Sequence, residues 1–436
     1  MGTSRDRSPT TSARQLRGPL LALIACAMVS GLMASCSVSP RPDAAWQQLY
    51  PRDSPPSHLP LGMVYDPATS QMLLLVTGSY GEVGLTPASL LAHTWLWEKG
   101  TWTAKAAMRT ETSGWFPGAQ KGSGPSLLAG GSADLVYDAA TRSVILYNGF
   151  MTGPWVPGGP HSEHYGNLLN HFHSHATPAQ VRHIFEPQMW AWNGSSWTML
   201  HPPQSPPQCL YNRIAYDATT RTVVLLCSRV FHGSYFKHSS QTWLWNGRTW
   251  LRQFPLRNPP GVDYLGTMAY DAAARKVVLF GGLISPCSGR RCAFTSLKTW
   301  TWNGTTWTRQ YPPVTPPQRV VPVMVYDPAI HEVVMYGGMP ISTVNSRQEQ
   351  GFPFGNDIPL HDSWEWNGRT WKELYTSQYP RGPHGPIGGA AAYDPMTATI
   401  LLYGSHDHTS GSSPQSASGS TWALHVPLHP ASHGSG

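Results

Sequence analysis

Hydrophobic and polar positions along the chain follow a unit that recurs six times. Each unit contains a Tyr-Asp pair, and the six pairs begin at Tyr65, Tyr137, Tyr216, Tyr270, Tyr326 and Tyr393. An apolar run begins six residues after each Asp, as in Val277-Val278-Leu279-Phe280. Short β-branched runs bounded by glycine favour buried strands over helices. The constant offset predicts a tight turn opened by the Asp side chain.

A Trp-rich pattern follows the apolar run in most units. Two Trp separated by one residue precede Asn-Gly and a further Trp, at Trp190/Trp192/Trp197, Trp243/Trp245/Trp250, Trp300/Trp302/Trp307 and Trp364/Trp366/Trp371. Trp95/Trp97/Trp102 is a variant of the same pattern. Asn-Gly between alternating hydrophobic residues predicts a hairpin, and a two-residue turn at Asn246-Gly247 would place Trp243 opposite Trp250. Residues two apart share a face, so all three Trp should line one side of the hairpin.

Each unit therefore supplies four strands, but the last unit, 391–427, has only three. A segment that fits the missing strand occurs near the other end of the chain, where 45–51 resembles 306–312. An N-terminal strand that completes the last blade closes a ring and removes both sheet edges. We therefore predict an all-β protein, a six-bladed β-propeller over residues 45–427 with four antiparallel strands in each blade.

The diglycines Gly281-Gly282 and Gly337-Gly338 follow the apolar strand, with Trp downstream of them. In these features the chain resembles the kelch-type β-propellers, over about residues 45–427. The resemblance implies the fold and leaves the chemistry open, because propellers carry many unrelated functions. Galactose oxidase and the sialic acid mutarotases share this architecture. We expect a module that binds a ligand or protein through its long loops. By analogy of fold, a sugar isomerase or a metal-dependent oxidase with its site in the axial funnel is one alternative, and a structural envelope component is another.

The two ends of the predicted ring differ in the length of their connections. The Tyr-Asp turns and Trp hairpins are tight and share one end, whereas the long connections emerge at the opposite end, where binding residues concentrate. The largest insertion, 150–187, contains Trp155 and Tyr165, two candidate ligand contacts. His171, His173 and His175 alternate in it, which suits Zn or Cu. The alternative for this insertion is a polar lid over the central pocket.

Three arginines, Arg213, Arg319 and Arg381, fall shortly before Tyr-Asp pairs. Strand starts of this kind lie near the axis, where a guanidinium can bind a carboxylate or a sugar acid with two parallel hydrogen bonds. The structural alternative is that each Arg donates hydrogen bonds to carbonyl groups of the neighbouring blade.

The first 35 residues have the pattern of a bacterial export signal. Arg5, Arg7, Arg14 and Arg17 precede a short apolar run that ends in Leu32-Met33-Ala34-Ser35-Cys36, which resembles a lipoprotein lipobox. The resemblance implies that 1–35 are removed, that Cys36 is lipidated and anchors an extracytoplasmic protein to the bacterial cell membrane, and that 36–44 form a tether. An ordinary cleaved signal peptide is the alternative. Residues 428–436 are predicted to be a disordered tail.

An oxidising compartment favours disulfides among the remaining cysteines. Cys209, Cys227, Cys287 and Cys292 allow three pairings, of which we favour the two local ones, Cys209–Cys227 and Cys287–Cys292.

Composition and charge narrow the possible partners. Hydrophobic residues make up 40% of the chain and charged residues 12%, which argues against general disorder and against a nucleic-acid-binding tail. Without residues 1–35, which contain four Arg and one Asp, the formal net charge falls from +7 to +4. We therefore expect a glycan, peptide or protein ligand, no nucleic acid, and membrane contact only through the lipid anchor.

Overall fold

The structure is a computed structural model. It describes residues 44–55, 60–77, 92–105, 133–148, 187–207, 209–231, 236–237, 240–260, 264–284, 287–288, 291–292, 295–296, 298–340, 360–376, 389–404 and 419–427. No helix long and apolar enough to cross a membrane occurs in these ranges. The described chain folds into six four-stranded antiparallel sheets, which are the six blades of a β-propeller.

Each blade has an inner strand, two middle strands and an outer strand, in that order along the sheet. The inner strands are Pro60–Asp66, Ala133–Asp138, Cys209–Asp217, Tyr264–Asp271, Val323–Asp327 and Ala390–Asp394. The second strands are Gln71–Thr77, Ser143–Asn148, Thr222–Phe231, Lys276–Ile284, Glu332–Tyr336 and Thr399–Gly404. The third strands are Ala92–Glu98, Gln188–Trp192, Gln241–Trp245, Trp300–Trp302, Ser363–Trp366 and Ser420–His425.

The outer strands of blades 1 to 5 are Thr101–Ala104, Trp197–Leu200, Trp250–Gln253, Trp307–Arg309 and Trp371–Leu374. Short strands in the connections are Phe236–Lys237, Cys287–Ser288, Arg291–Cys292, Thr295–Ser296, Arg319–Val320 and Met339–Pro340. The outer strand of blade 6 is Ala45–Leu49, from the beginning of the described chain.

The ring closes as the sequence predicts. Trp46 faces Leu424 and Gln48 faces Trp422 in the register between the outer and third strands of blade 6. Each inner strand also contacts the inner strands of both neighbouring blades, so the six inner strands surround the axis. Closure pairs the first described strand with the last, which removes the exposed sheet edges that invite association.

The Asp of each Tyr-Asp pair holds the turn between the inner and second strands. The Asp66 carboxylate accepts a hydrogen bond from Ala68 N at 2.9 Å and another from Thr69 Oγ1 at 2.9 Å. The residue four positions after the Asp has a positive φ in every blade, at Ser70, Arg142, Arg221, Arg275, His331 and Ala398. The Asp side chain thus replaces backbone partners in a turn that ends in the left-handed region, and the predicted Asp-opened turn is confirmed.

The Trp hairpins differ from the prediction in their turn. Trp250 faces Trp245 and Trp243 faces Arg252, so the predicted pairing of Trp243 with Trp250 is wrong. The loop has four residues because Asn246 N donates to Thr249 O at 3.3 Å, while the Asn246 side chain accepts hydrogen bonds from Arg248 N and Thr249 N. An Asn side chain that caps backbone N–H groups stabilises this wider loop, in which Gly247 takes the positive φ. The three Trp still share one face.

The core consists of one apolar cluster at each interface between blades. At the interface of blades 3 and 4, Trp302 and Trp307 pack against Val224 and Leu226 of the preceding blade. The corresponding Trp of the other blades take part in equivalent clusters. Large aromatic side chains remove the most apolar area from water, so the repeated Trp pattern is what holds neighbouring blades together.

A hydrogen bond crosses five of the six blade interfaces at the same position. At these five interfaces, the Trp of the outer strand donates its indole N–H to the Thr or Ser directly before the first Trp of the third strand in the preceding blade. The pairs are Trp46–Ser363, Trp102–Thr421, Trp197–Thr94, Trp307–Thr242 and Trp371–Thr299, at 2.9 to 3.3 Å. Blade 2 has Met189 at the acceptor position, and the buried Trp250 Nε1 has no hydrogen-bond partner among the described residues.

One of the two predicted disulfides is confirmed. Cys209 and Cys227 are bonded and join the inner and second strands of blade 3. The backbones of Cys287 and Cys292 face each other across a two-stranded sheet. A bond between those two residues stays a prediction.

Candidate binding site on the inner strands

The two ends of the ring have different structures. Antiparallel order places the Tyr-Asp turns and the Trp hairpins at one end, called here the turn end. Gly304 of the blade 4 hairpin lies against the blade 3 turn, where a Cβ would approach Thr220 to 2.7 Å. The connections of variable length lie at the opposite end, called here the loop end, as the sequence predicts. Because the hairpins pack against the turns at the turn end, we expect a binding site at the loop end.

Charged side chains link the inner strands of blades 2, 3 and 4. Arg213 Nη1 lies 4.0 Å from Asp134 Oδ2 of blade 2, and Arg213 Nε donates to Gly266 O of blade 4 at 2.8 Å. Asp134 accepts hydrogen bonds from Ile214 N at 3.1 Å and from Leu135 N at 3.0 Å. The two side chains remain 19% and 23% exposed. The pair lies on two of the inner strands that surround the axis, and both side chains are partly exposed.

The attraction between Asp134 and Arg213 only partly offsets the cost of burying the two charges. Burial raises the pKa of Asp134, against the opposing effects of the Arg213 charge and the two backbone N–H groups. Burial also lowers the pKa of Arg213, although the Asp134 charge opposes that shift. A close, bidentate pair would stabilise both charges more strongly than a single contact at 4.0 Å. An anionic ligand would add a second partner for the guanidinium.

Uncharged polar groups without partners lie at the same junction. Tyr147 faces Asp134 across blade 2, and Asn212 directly precedes Arg213 in blade 3. Both side chains are buried, yet Tyr147 Oη, Asn212 Nδ2 and Asn212 Oδ1 have no hydrogen-bond partner among the described residues. Buried polar groups in proteins are nearly always hydrogen-bonded, to water or to a ligand if not to protein. These buried polar atoms without partners distinguish the interface of blades 2 and 3 at its loop end.

Arg319 has a different environment from Arg213. It is fully buried, and its guanidinium contacts both oxygens of Asp362 at 2.6 Å, together with Gly337 O at 2.9 Å and Pro317 O at 3.0 Å. Burial opposes ionisation of Asp362, but the hydrogen bonds and charge of Arg319, with Trp364, hold the pKa of that carboxyl below its usual value. These contacts give Arg319 a structural role, but the carbonyl groups belong to its own blade and to the connection before it, not to the neighbouring blade as the structural alternative has it. Arg213 fits that alternative through Gly266 O of blade 4, and its Nη1 also donates to Asn212 O at 3.1 Å.

The other candidate residues lie outside the described ranges. These are Trp155, Tyr165, Arg381, the lipidation candidate Cys36 and the proposed metal ligands His171, His173 and His175. In the part of the chain that the structure describes, no three His, Cys, Asp or Glu residues are grouped as metal ligands. Zinc or copper binding at the His-rich insertion stays a prediction.

Asp134, Asn212 and Tyr147 are not among the site residues predicted from the sequence. A signal for Asp134 is present in the repeats, because the position four residues before the turn Asp is charged only in blades 2 and 3. The other blades have Gly62, Thr267, Val323 and Ala390 there. Two opposite charges at equivalent positions of neighbouring blades predict an ion pair once the repeats are superimposed. Asn212 and Tyr147 carry no comparable signal, since either residue type fits a strand.

Comparisons with known proteins add no argument about the fold or the function. Searches against protein families and against curated proteins found no match. Among solved structures, a chain described as "Structure of YjhT" matches over 74% of this chain and 98% of its own length. The two are 12% identical, with a TM-score of 0.35. The six-bladed β-propeller is therefore established by the strand topology of the chain itself.

Proposed function

We propose that this protein is a kelch-type propeller, anchored by a lipid on the outside of the bacterial cell membrane, that binds a glycan, peptide or protein ligand at its loop end. The observation that carries the proposal is a polar cluster between blades 2 and 3. The Asp134–Arg213 ion pair of the inner strands lies beside the buried Asn212 side chain and the Tyr147 hydroxyl of the second strand, which have no hydrogen-bond partner among the described residues. Binding sites are concave regions with a few convergent polar groups, and the axial end of a ring provides such a region.

A direct test uses the full chain on glycan and peptide arrays. Arg213→Gln removes the exposed cation of the site, so signals that depend on the site should fall about tenfold or more, as for the loss of a hydrogen bond to a charged group. Arg248→Gln is the matched control, because Arg248 is an exposed residue of the same blade in the turn-end hairpin. Array signals that respond equally to both substitutions, or to neither, would contradict the proposed site.

A second candidate, a sugar isomerase, is favoured by Asp134 alone. Its raised pKa and partial exposure beside a guanidinium suit a group that exchanges protons with a bound sugar. Saturation-transfer NMR on sugars found by the array would measure anomer exchange directly. Faster exchange between anomers in the presence of the wild type, but not of Asp134→Asn, would favour an enzyme. Binding of the sugar without faster exchange would favour a binding module.

A further inference from the structure

A pocket with a mostly apolar lining lies on the rim of blade 4, at the loop end. It is formed by the outer strand and the connection that follows it, and its volume is about 180 Å³. The buried side chains of Phe280, Thr299 and Pro316 line its floor. Lys298, Arg309 and Tyr311 line its edge. Pockets for drug-sized molecules are larger, at about 300–1,000 Å³, so this one suits a ligand of the size of one sugar ring.

Tyr311 provides an aromatic wall that is open to solvent. Its side chain is 79% exposed, and the Arg309 guanidinium lies 4.9 Å from the centre of its ring. A pyranose has one face of C–H groups, which packs well on an aromatic ring, with hydroxyl groups at its edges for polar side chains. Arg309 restricts the ring before any ligand arrives, which lowers the entropy cost of binding.

The charged side chains that line the pocket are both cations. Lys298 and Arg309 both line it, neither forms an ion pair within the described part of the chain, and no acidic residue lines the pocket. Two cations on one concave surface, with no counter-ion among the described residues, attract an anion and offer it charge-assisted hydrogen bonds. A neutral sugar would leave both charges unused.

The edge of the pocket is fixed in place by the fold. Gln310 N donates to Thr299 O at 2.9 Å, which ties the outer strand to the floor. The Gln310 side chain donates to Thr301 Oγ1 at 2.9 Å and to Thr308 O at 3.2 Å. Arg309 and Tyr311, on either side of Gln310, are two of the residues that would contact the ligand, so this anchoring positions them.

A comparison of equivalent positions in blades 3 and 4 shows which part of the pocket occurs in blade 4 and not in blade 3. Arg252 lies 4.8 Å from the centre of the exposed Phe254 ring, which repeats the arginine–aromatic stack. The position equivalent to Lys298 is Gln241, whose side chain accepts a hydrogen bond from Trp243. Blade 3 therefore has the stack without the second cation.

We propose that the rim pocket of blade 4 binds an acidic sugar, with its ring on Tyr311 and its carboxylate or sulfate paired with Lys298 and Arg309. The pocket is separate from the inner-strand site, so the proposal does not depend on the function proposed above.

The test measures binding of three probes to the ¹⁵N-labelled full chain by NMR: galacturonate, galactose 6-sulfate and galactose. The reporter is the indole N–H of Trp371, which donates to Thr299 in the floor of the pocket. At least one anionic sugar should titrate this resonance with about tenfold higher affinity than galactose, and the comparison of the two shows whether carboxylate or sulfate is preferred.

Substitutions then locate the binding. Arg309→Gln, Lys298→Gln and Tyr311→Ala should each weaken the titration about tenfold, while the other indole resonances show that the fold is intact. Arg252→Gln, the matched control in blade 3, should leave it unchanged. Equal affinity for galactose, no titration by any probe, or an equal loss in Arg252→Gln would overturn the proposal. Arg213→Gln should affect only the array signals, so failure of one site is distinguishable from failure of the other.

Discussion

The hydrogen bonds between Trp and Thr at the blade interfaces should contribute measurably to stability, and Thr421→Val tests one of them. Trp102 Nε1 donates to Thr421 Oγ1 at 2.9 Å, and both side chains are 1% exposed. Thr421 lies in the third strand of blade 6, so this bond joins the last blade to the first. Valine keeps the shape of threonine and replaces the hydroxyl with a methyl group, so the acceptor is removed and no cavity is created.

The expected cost follows from the burial of the donor. Without Thr421 Oγ1, the Trp102 N–H has no acceptor, and an unsatisfied buried donor costs about 1–3 kcal/mol. The extra methyl group recovers part of this, since each buried CH₂-sized group contributes about 0.8 kcal/mol. We therefore expect the free energy of unfolding to fall by about 1–2 kcal/mol. For a ring of this size the melting temperature should fall by about 2 °C.

Urea denaturation followed by Trp fluorescence measures the effect, and a double-mutant cycle isolates it. Thr421→Ser keeps the acceptor and should retain most of the stability. Trp102→Phe removes the donor, so Thr421→Val should cost less in that background, by about 1 kcal/mol. Met189→Leu is the control at the interface that lacks the bond, and its cost should stay below about 1.5 kcal/mol. If Thr421→Val costs the same with Trp102 present or replaced, the hydrogen bond does not stabilise the closure.

Three further predictions concern the ion pair, the disulfide and the hairpins. Asp362→Asn should lower the free energy of unfolding by about 3 kcal/mol at neutral pH, because it leaves the buried Arg319 without a counter-charge. The pKa of Asp362 is lowered in the folded state, so its contribution is complete above its unfolded value of about 3.9 and is lost as the pH falls below it. Replacing the Cys209–Cys227 disulfide, which joins residues 18 apart, with two alanines should cost about 3 kcal/mol in urea denaturation. Gly304→Ala should destabilise by more than 1 kcal/mol, measured in the same way, because φ is +94° and the new Cβ would clash with the neighbouring blade.

Each of these three predictions has a control. The difference in urea midpoint between wild type and Asp362→Asn should shrink from pH 6 to pH 3, and a constant difference would show that the charge is not what matters. Dithiothreitol should destabilise the wild type by more than the double alanine variant, which keeps only the predicted Cys287–Cys292 bond. Gly100 has a φ of +82°, and no atom lies within 4 Å of the place that a Cβ would take, so Gly100→Ala measures the backbone cost alone. An equal loss for Gly304→Ala would mean that contact between hairpin and turn contributes nothing.

Much of the candidate site could not be read from the sequence. Asp134 and Arg213 are 79 positions apart and meet because equivalent positions of neighbouring inner strands are brought side by side. Arg319 was a candidate ligand contact, but its partner Asp362 belongs to a connection 43 residues away, which no local pattern indicates. Whether an arginine is free for a ligand depends on such distant partners, and this is why its sequence position was insufficient.

The sequence by itself determined the repeating unit, the number of blades and the closure by the N-terminal strand. These properties follow from local periodicity, since alternation fixes which residues share a face and turn residues fix where strands end. The tertiary structure alone decided how the faces of neighbouring blades match. The offset and twist between sheets determine that each outer Trp meets a Thr or Ser of the preceding blade, that Trp250 meets Met189 instead, and that polar groups without partners collect between blades 2 and 3.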